Sequence, residues 1–122
     1  MTRINVVPVQ ELSRQHLIAE YREIARVPNN IRTSLARKNK PFSMSEIPSE
    51  YVLGTGHVKF FYNKCLFLQK RFEQLVNEMV SRGYNPSFRD SSIFKVRDDL
   101  HNDYIPTQDA LSINRQRIKD RS

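Results

Sequence analysis

Two groups near the start of the chain could act together in catalysis: the α-amine of Thr2 and the carboxylate of Glu23. Methionine before a small residue is normally removed, so we expect the mature chain to begin at Thr2. An α-amine has a pKa of about 7.7–8.0, against about 10.4 for lysine, so much more of it is uncharged at neutral pH. An uncharged amine attacks carbonyl-like carbon atoms, and a nearby carboxylate assists. The two groups are therefore candidates for Schiff-base chemistry.

Glu23 stands in a predicted helix with arginines on either side of it. Residues three or four positions apart lie over one another on a helix, so Glu23 is within reach of Arg26 and is flanked by Arg22. Neighbouring cations favour the ionised carboxylate, which suits a group that stabilises a cationic intermediate or removes a proton. The spacing alone favours a plainer interpretation, an ordinary ion pair on the surface of the helix, worth about 0.3–0.5 kcal/mol.

Other polar groups on the same helix could contact a ligand. His16 lies one to two turns before Glu20 and Glu23, and both His16 and Gln15 are available to a ligand that crosses the helix. The histidines show no close spacing such as HxxxH, and the lone Cys65 cannot form a multi-cysteine zinc site. We therefore expect no metal site.

The charge balance indicates a polyanionic partner. The 122 residues include 20 Lys and Arg against 13 Asp and Glu, which gives a net charge of +7 and a pI near 9.9. Such a field attracts nucleic acid, although charge cannot distinguish DNA from RNA or an enzyme from a non-catalytic binding module. The sequence has no run of about 18 apolar residues and no secretory-type leader, so we expect a cytoplasmic protein that does not span a membrane.

Three helices are predicted to position these groups. The first is expected from about Val9 to Arg26, where apolar residues fall near one face at helical spacing: Leu12, Leu17, Tyr21 and Ile24. Pro28 disfavours helix at Val27 and should break or kink the helix there. A weaker helical stretch is expected from Asn30 to Arg37.

The second and third helices follow two long connections, residues 38–56 and 84–102. Alternating spacings of three and four predict a buried central helix, carried by Val58, Phe61, Cys65, Leu68, Phe72, Leu75 and Met79. Gly83 is expected to cap its C-terminus, and Cys65 is interpreted as core filling. The third helix is predicted from Thr107 to Asp120, with basic residues that either are solvated or contact phosphate. The sequence predicts an all-α single domain.

Several motifs together resemble one family of DNA repair enzymes over about residues 1–120. They include Met-Thr-Arg-Ile-Asn at 1–5, Ala-Glu-Tyr-Arg-Glu at 19–23, Gly-His-Val at 56–58, Phe-Phe-Tyr at 60–62 and Asp-Tyr-Ile-Pro at 103–106. In these motifs the chain is similar to the pyrimidine-dimer DNA glycosylase/AP lyase family, which includes the endonuclease V of T-even phages.

The resemblance implies a small, all-helical monomer that needs no metal or cofactor and whose N-terminal segment threads between its helices. It implies that the Thr2 α-amine attacks C1′ of the damaged nucleotide, and that Glu23 stabilises the sugar charge and assists β-elimination. The resemblance assigns contacts with damaged double-stranded DNA to Arg3, Gln15, His16, Arg22, Arg26, Arg117 and Arg121.

One feature of the family is absent from the sequence. The family's enzymes carry an aromatic C-terminal tail that helps recognise the dimer, whereas this sequence has no Trp and no Tyr after Tyr104. Two alternatives therefore stay open: an AP lyase or glycosylase for a different lesion, and a non-catalytic basic DNA-binding module.

Overall fold

The computed structural model describes residues 4–121, and in that range it contains helices and irregular connections but no strand. The α-helices are α1 (Arg14–Ile24), α2 (Val27–Leu35), α3 (Cys65–Ser81) and α4 (Gln108–Asp120). Short 3₁₀ turns occur at Val9–Glu11, Met44–Glu46, Lys59–Phe61, Ser91–Phe94 and Asp98–Leu100. The all-α prediction is confirmed. None of these helices has the length and hydrophobicity that crossing a bilayer requires.

The first predicted helix is shorter than expected. Val9–Glu11 is a separate 3₁₀ turn, and α1 begins only after Ser13, whose hydroxyl accepts the N–H of His16 at 3.3 Å. A serine at this position satisfies one of the unpaired N–H groups of the first helical turn, and this local bond fixes where the helix starts.

The break before Pro28 is confirmed, but the prediction that Val27 is not helical is wrong. Helix α1 ends at Ile24 and α2 already begins at Val27, three residues earlier than the expected start at Asn30. Pro28 lies in the first turn of α2, where an N–H has no intrahelical partner and the fixed φ of proline suits the helix. Proline thus starts the second helix as well as ending the first.

The central helix α3 begins at Cys65, so its predicted start at Val58 is wrong. Lys64 has a non-helical backbone (φ −126°, ψ 41°) that separates α3 from the preceding 3₁₀ turn. Phe61 is nevertheless fully buried, so the apolar stripe continues across the break. At the other end the predicted cap is confirmed: Gly83 has φ +87°, and the N–H of Tyr84 donates to Met79 at 2.8 Å.

The hydrophobic core forms mainly around α3. Helix α1 and the turn Ser91–Phe94 both pack against it, and Tyr21 stacks on Phe72 with ring centroids 5.8 Å apart. Cys65 is 1% exposed, which confirms its assignment to the core. The two long connections are held in place by their own buried side chains, among them Phe42, Tyr51, Phe94 and Leu100. The last helix, α4, starts after the Thr107 cap as predicted.

Candidate active site

A cavity of about 320 Å³ lies between one face of α1 and one face of α4. Its lining residues are Asn5, His16, Ala19, Glu20, Glu23, Arg117, Ile118 and Arg121. The α1 residues share a face because they are three or four positions apart, and Arg117 and Arg121 share a face of α4 for the same reason. The structure therefore brings Glu23, His16, Arg117 and Arg121 together around one space.

Glu23 is the partly exposed carboxylate of this cavity. Its side chain is 25% exposed, and its Oε2 lies 3.8 Å from Nη1 of Arg26, whose side chain is 68% exposed. The predicted approach of these two residues is confirmed. An exposed ion pair at this distance contributes little to stability, so the carboxylate can change partners when a ligand enters the cavity.

Glu20, one turn earlier on α1, has a different environment. It is 2% exposed and accepts bonds from Nε and Nη2 of Arg71 at 2.7 and 2.9 Å. Asn5 donates to the same carboxylate at 2.8 Å, and Arg71 also donates to the carbonyl of Val7. Because Arg71 compensates the charge of Glu20 inside the protein, Glu23 is the cavity carboxylate that can respond to substrate.

The first described residues of the chain are fixed by side chains from distant parts of the sequence. The N–H of Ile4 donates to Nε2 of His57 at 2.8 Å. The N–H groups of Val6 and Val7 both donate to Oδ1 of Asn114, at 2.6 and 3.1 Å. These three chain residues are buried. The course of residues 1–3, on which the predicted threading depends, lies outside the described range, as do the side chains of Thr2 and Arg3.

Two predicted DNA-binding residues lie on a neighbouring face of α1. Gln15 and Arg22 are exposed and line a shallow depression together with Arg14, Ile18 and Ala19. Ala19 is the residue that this depression shares with the Glu23 cavity. Arg22 thus flanks Glu23 along the helix but lies outside the Glu23 cavity, so a ligand contacting both must extend across the helix.

In residues 4–121 no group of three or more His, Cys, Asp or Glu is arranged to hold a metal ion. The chemistry available in the cavity is that of a carboxylate, an imidazole and guanidinium groups. Such a set can bind a phosphate backbone, stabilise positive charge on a sugar and accept a proton.

Sequence reasoning missed the residues that hold this arrangement together: Asn5, Glu20, His57, Arg71 and Asn114. One of them carried a usable signal. Arg71 lies between Leu68 and Leu75 on the apolar stripe of α3, and an arginine at a core position requires a buried partner. The partners of Arg71, Glu20 and the carbonyl of Val7, are 51 and 64 positions away in the sequence.

A family model described as pyrimidine dimer DNA glycosylase matches residues 1–91 of the chain. The matched range includes the predicted nucleophile, all of α1 and α3, and His57. The chain belongs to this family of DNA repair glycosylases, whose substrate is damaged DNA.

Proposed function

We propose that this glycosylase excises UV-induced pyrimidine dimers and then cuts the resulting abasic site, with the α-amine of Thr2 as nucleophile and Glu23 as its carboxylate partner. The observation that carries the proposal is the position of Glu23 in a cavity that Asn5 also lines. Thr2 precedes Asn5 by three residues, and a chain spans at most about 3.3–3.6 Å per residue, so the amine lies within about 11 Å of Asn5.

The proposed reaction uses one amine for two steps. The nitrogen of Thr2 bonds to C1′ as the glycosylic bond breaks, and the base leaves with the electron pair of that bond. The C1′–O4′ bond then opens, one of the two protons on the nitrogen passes to O4′, and a protonated imine remains. This cation acidifies C2′, so Glu23 can accept a C2′ proton while the C3′–O3′ bond breaks and the 3′ phosphate leaves. Water hydrolyses the imine and restores the amine.

The cations around the cavity are proposed to hold the DNA backbone. Arg117 and Arg121 face the cavity from α4, Arg26 lies beside Glu23, and Arg22 extends the basic surface across α1. Arg3, Gln15 and His16 complete the proposed contacts. Arginine pairs with phosphate through two parallel N–H groups, and such contacts position the duplex without selecting its sequence. We also propose that the chain acts as a single-domain monomer without a metal or cofactor.

Borohydride trapping tests the proposal, because hydride adds to C1′ of the imine and makes the link between enzyme and DNA permanent. The mature chain is compared with a chain that carries one extra residue before Thr2, on paired duplexes with a pyrimidine dimer or an abasic site. One added residue displaces the amine by about 3.5 Å. We expect the mature chain to be trapped on both duplexes and the extended chain on neither.

Thr2→Pro is the matched control for the extended chain. It changes the residue but leaves a secondary amine at the same position, which can still form an iminium, so we expect trapping to persist. If the mature chain is trapped on the abasic duplex alone, dimer excision is contradicted, and the protein is an AP lyase or a glycosylase for another lesion. No adduct on either duplex would contradict the enzyme mechanism and leave a DNA-binding module.

A further inference from the structure

The hydrogen bonds of His57 determine which of its ring nitrogens carries the proton. The side chain is 4% exposed; Nδ1 lies 2.9 Å from the carbonyl oxygen of Val52, and Nε2 lies 2.8 Å from the backbone nitrogen of Ile4. A carbonyl can only accept and a backbone N–H can only donate. The ring is therefore protonated at Nδ1, and Nε2 acts as the acceptor for Ile4.

The surroundings of His57 restrict its ring to this orientation. The rings of Tyr51 and Phe61 meet it edge to face, with centroids 5.5 and 5.8 Å away. The hydroxyl of Tyr51 also donates to the carbonyl of Ile4 at 3.3 Å, so both polar backbone groups of Ile4 are bound by one loop. Gly56 has φ +88°, and an added Cβ would lie 3.2 Å from Pro48, so this turn is closely packed just before His57.

Among the residues that the structure describes, Ile4 is the anchored one nearest to the proposed nucleophile. It is completely buried, and Asn114 binds the chain again at Val6 and Val7. Two residues, Thr2 and Arg3, separate the amine and Ile4, so the path of the backbone at Ile4 decides where the amine can reach. A nucleophile that is misplaced by about 1 Å can lose about a hundredfold in rate.

We propose that His57 is a positioning residue for the N-terminal amine: its Nε2 fixes the N–H of Ile4 and thereby directs Thr2 toward the Glu23 cavity. This inference rests on the proposed function, because it assigns His57 a role only if the amine is the nucleophile. His57 itself acts through the backbone of Ile4 and is assigned no contact with the DNA.

Two substitutions separate the two bonds of His57. In His57→Gln, the side-chain oxygen reaches the position of Nε2 and can still accept the N–H of Ile4. In His57→Asn, the shorter amide reaches only the position of Nδ1, so it keeps the donor for Val52 but loses the acceptor for Ile4. The chemical step is measured as the single-turnover rate of adduct formation on an abasic duplex at saturating enzyme. Binding is measured as Kd for a duplex with a tetrahydrofuran abasic analogue.

We expect His57→Asn to lower the rate of adduct formation by about tenfold to a hundredfold while Kd stays unchanged. His57→Gln should restore a rate close to that of the wild type. Tyr51→Phe removes the bond to the Ile4 carbonyl but retains the ring, and it should lower the rate in the same direction with unchanged Kd. Tyr51→Phe therefore still tests the inference if His57→Asn does not fold.

A comparison with Phe94→Leu separates positioning from a general loss of stability. Phe94 is fully buried against Phe72 and takes no part in the hydrogen bonds that hold Ile4, Val6 and Val7, so its truncation should lower the melting temperature and leave the rate of adduct formation unchanged. A wild-type rate for both His57→Asn and Tyr51→Phe would overturn this inference and leave the proposed function intact. A loss of rate in Phe94→Leu equal to that in His57→Asn would have the same meaning. Failure of the wild type to form an adduct would overturn the proposed function and this inference with it.

Discussion

The side-chain oxygen of Asn114 lies 2.6 Å from the backbone nitrogen of Val6, which joins α4 to the start of the chain across 108 positions. The same amide donates through Nδ2 to Oδ1 of Asn5 at 2.7 Å, and Asn5 donates in turn to Glu20 on α1. The two helices that form the walls of the Glu23 cavity are thus linked through the first residues of the chain. We therefore expect displacement of residues 5 and 6 to change the shape of the cavity.

Arg71→Met should destabilise the protein strongly. Arg71 and Glu20 are both almost completely buried and share two hydrogen bonds, so removal of the guanidinium leaves an unpaired carboxylate in the core. Breaking a buried pair by removing one partner costs about 3–5 kcal/mol. We expect a decrease of that size in the free energy of unfolding, measured by urea denaturation.

The matched control for Arg71→Met is Arg97→Met, which removes a guanidinium from an exposed pair with Asp99. Exposed pairs contribute about 0–1 kcal/mol, so its urea midpoint should remain close to that of the wild type. Equal effects of the two substitutions on the free energy of unfolding would contradict the large contribution assigned to the buried pair.

Glu23→Gln should abolish dimer cleavage and preserve DNA binding. The amide is the same size as the carboxylate but can neither accept a proton readily nor balance a cationic sugar. Loss of general acid–base catalysis costs about 10²–10⁴-fold in rate. Kd for a dimer duplex should stay equal or become slightly tighter, because one negative charge facing the DNA is removed. Single-turnover cleavage and Kd are measured in parallel.

Glu50→Gln provides a control with the same change in net charge, at an exposed position outside the Glu23 cavity. It should leave the cleavage rate at the wild-type value. Loss of binding together with unchanged cleavage in Glu23→Gln would contradict the assigned role of Glu23.

The salt dependence of binding should identify the arginines that contact phosphate. If three to five cations contact phosphate, the slope of log K against log salt is about −3 to −5. Arg117→Gln and Arg121→Gln should each make this slope about 0.9 less negative. Arg115 on the same helix is bound to Glu11 at 2.9 and 3.0 Å. Arg115→Gln should therefore change the slope less, and an equal change in all three variants would indicate a diffuse charge effect.

Cys65 should be unreactive in the folded protein. Burial raises the pKa of its thiol to about 11, with a small opposing effect from the charge of Arg32. At pH 8 only about one thiol in a thousand would then be ionised, and the thiolate is the reactive form. We expect the native protein not to react with an aromatic disulfide reagent. After unfolding in guanidinium, the single cysteine should release one equivalent of aromatic thiolate. Rapid reaction of the native protein would contradict the buried position.

The local features of the fold could be predicted from the sequence. The break before Pro28, the Gly83 cap, the extent of α4 and the approach of Glu23 to Arg26 depend on residues within a few positions of one another. The start of α3 was missed because its apolar stripe continues through the turn before Lys64. Periodicity reports which side chains are buried, and it does not show where the backbone leaves the helical conformation.

The contacts that complete the site could not be predicted in this way. His57 binds Ile4 across 53 positions, and Arg71 binds Glu20 across 51. Such pairs form only when the helices pack, and neither the spacing nor the composition of one sequence specifies them. The sequence shows only that His57 follows a glycine turn. Its role becomes apparent when the structure identifies the partners of its two ring nitrogens.

The nitrogen that bonds to C1′ can be identified by mass spectrometry of the trapped adduct. The mature enzyme is reduced with borohydride on an abasic duplex, the DNA and protein are digested, and the added mass is assigned to a peptide. Lys64 is one competing amine, because burial lowers its pKa and thereby favours the uncharged form. We predict the added mass on the peptide that begins at Thr2. An unmodified N-terminal peptide, with the mass on Lys64 or another lysine, would contradict the proposed mechanism.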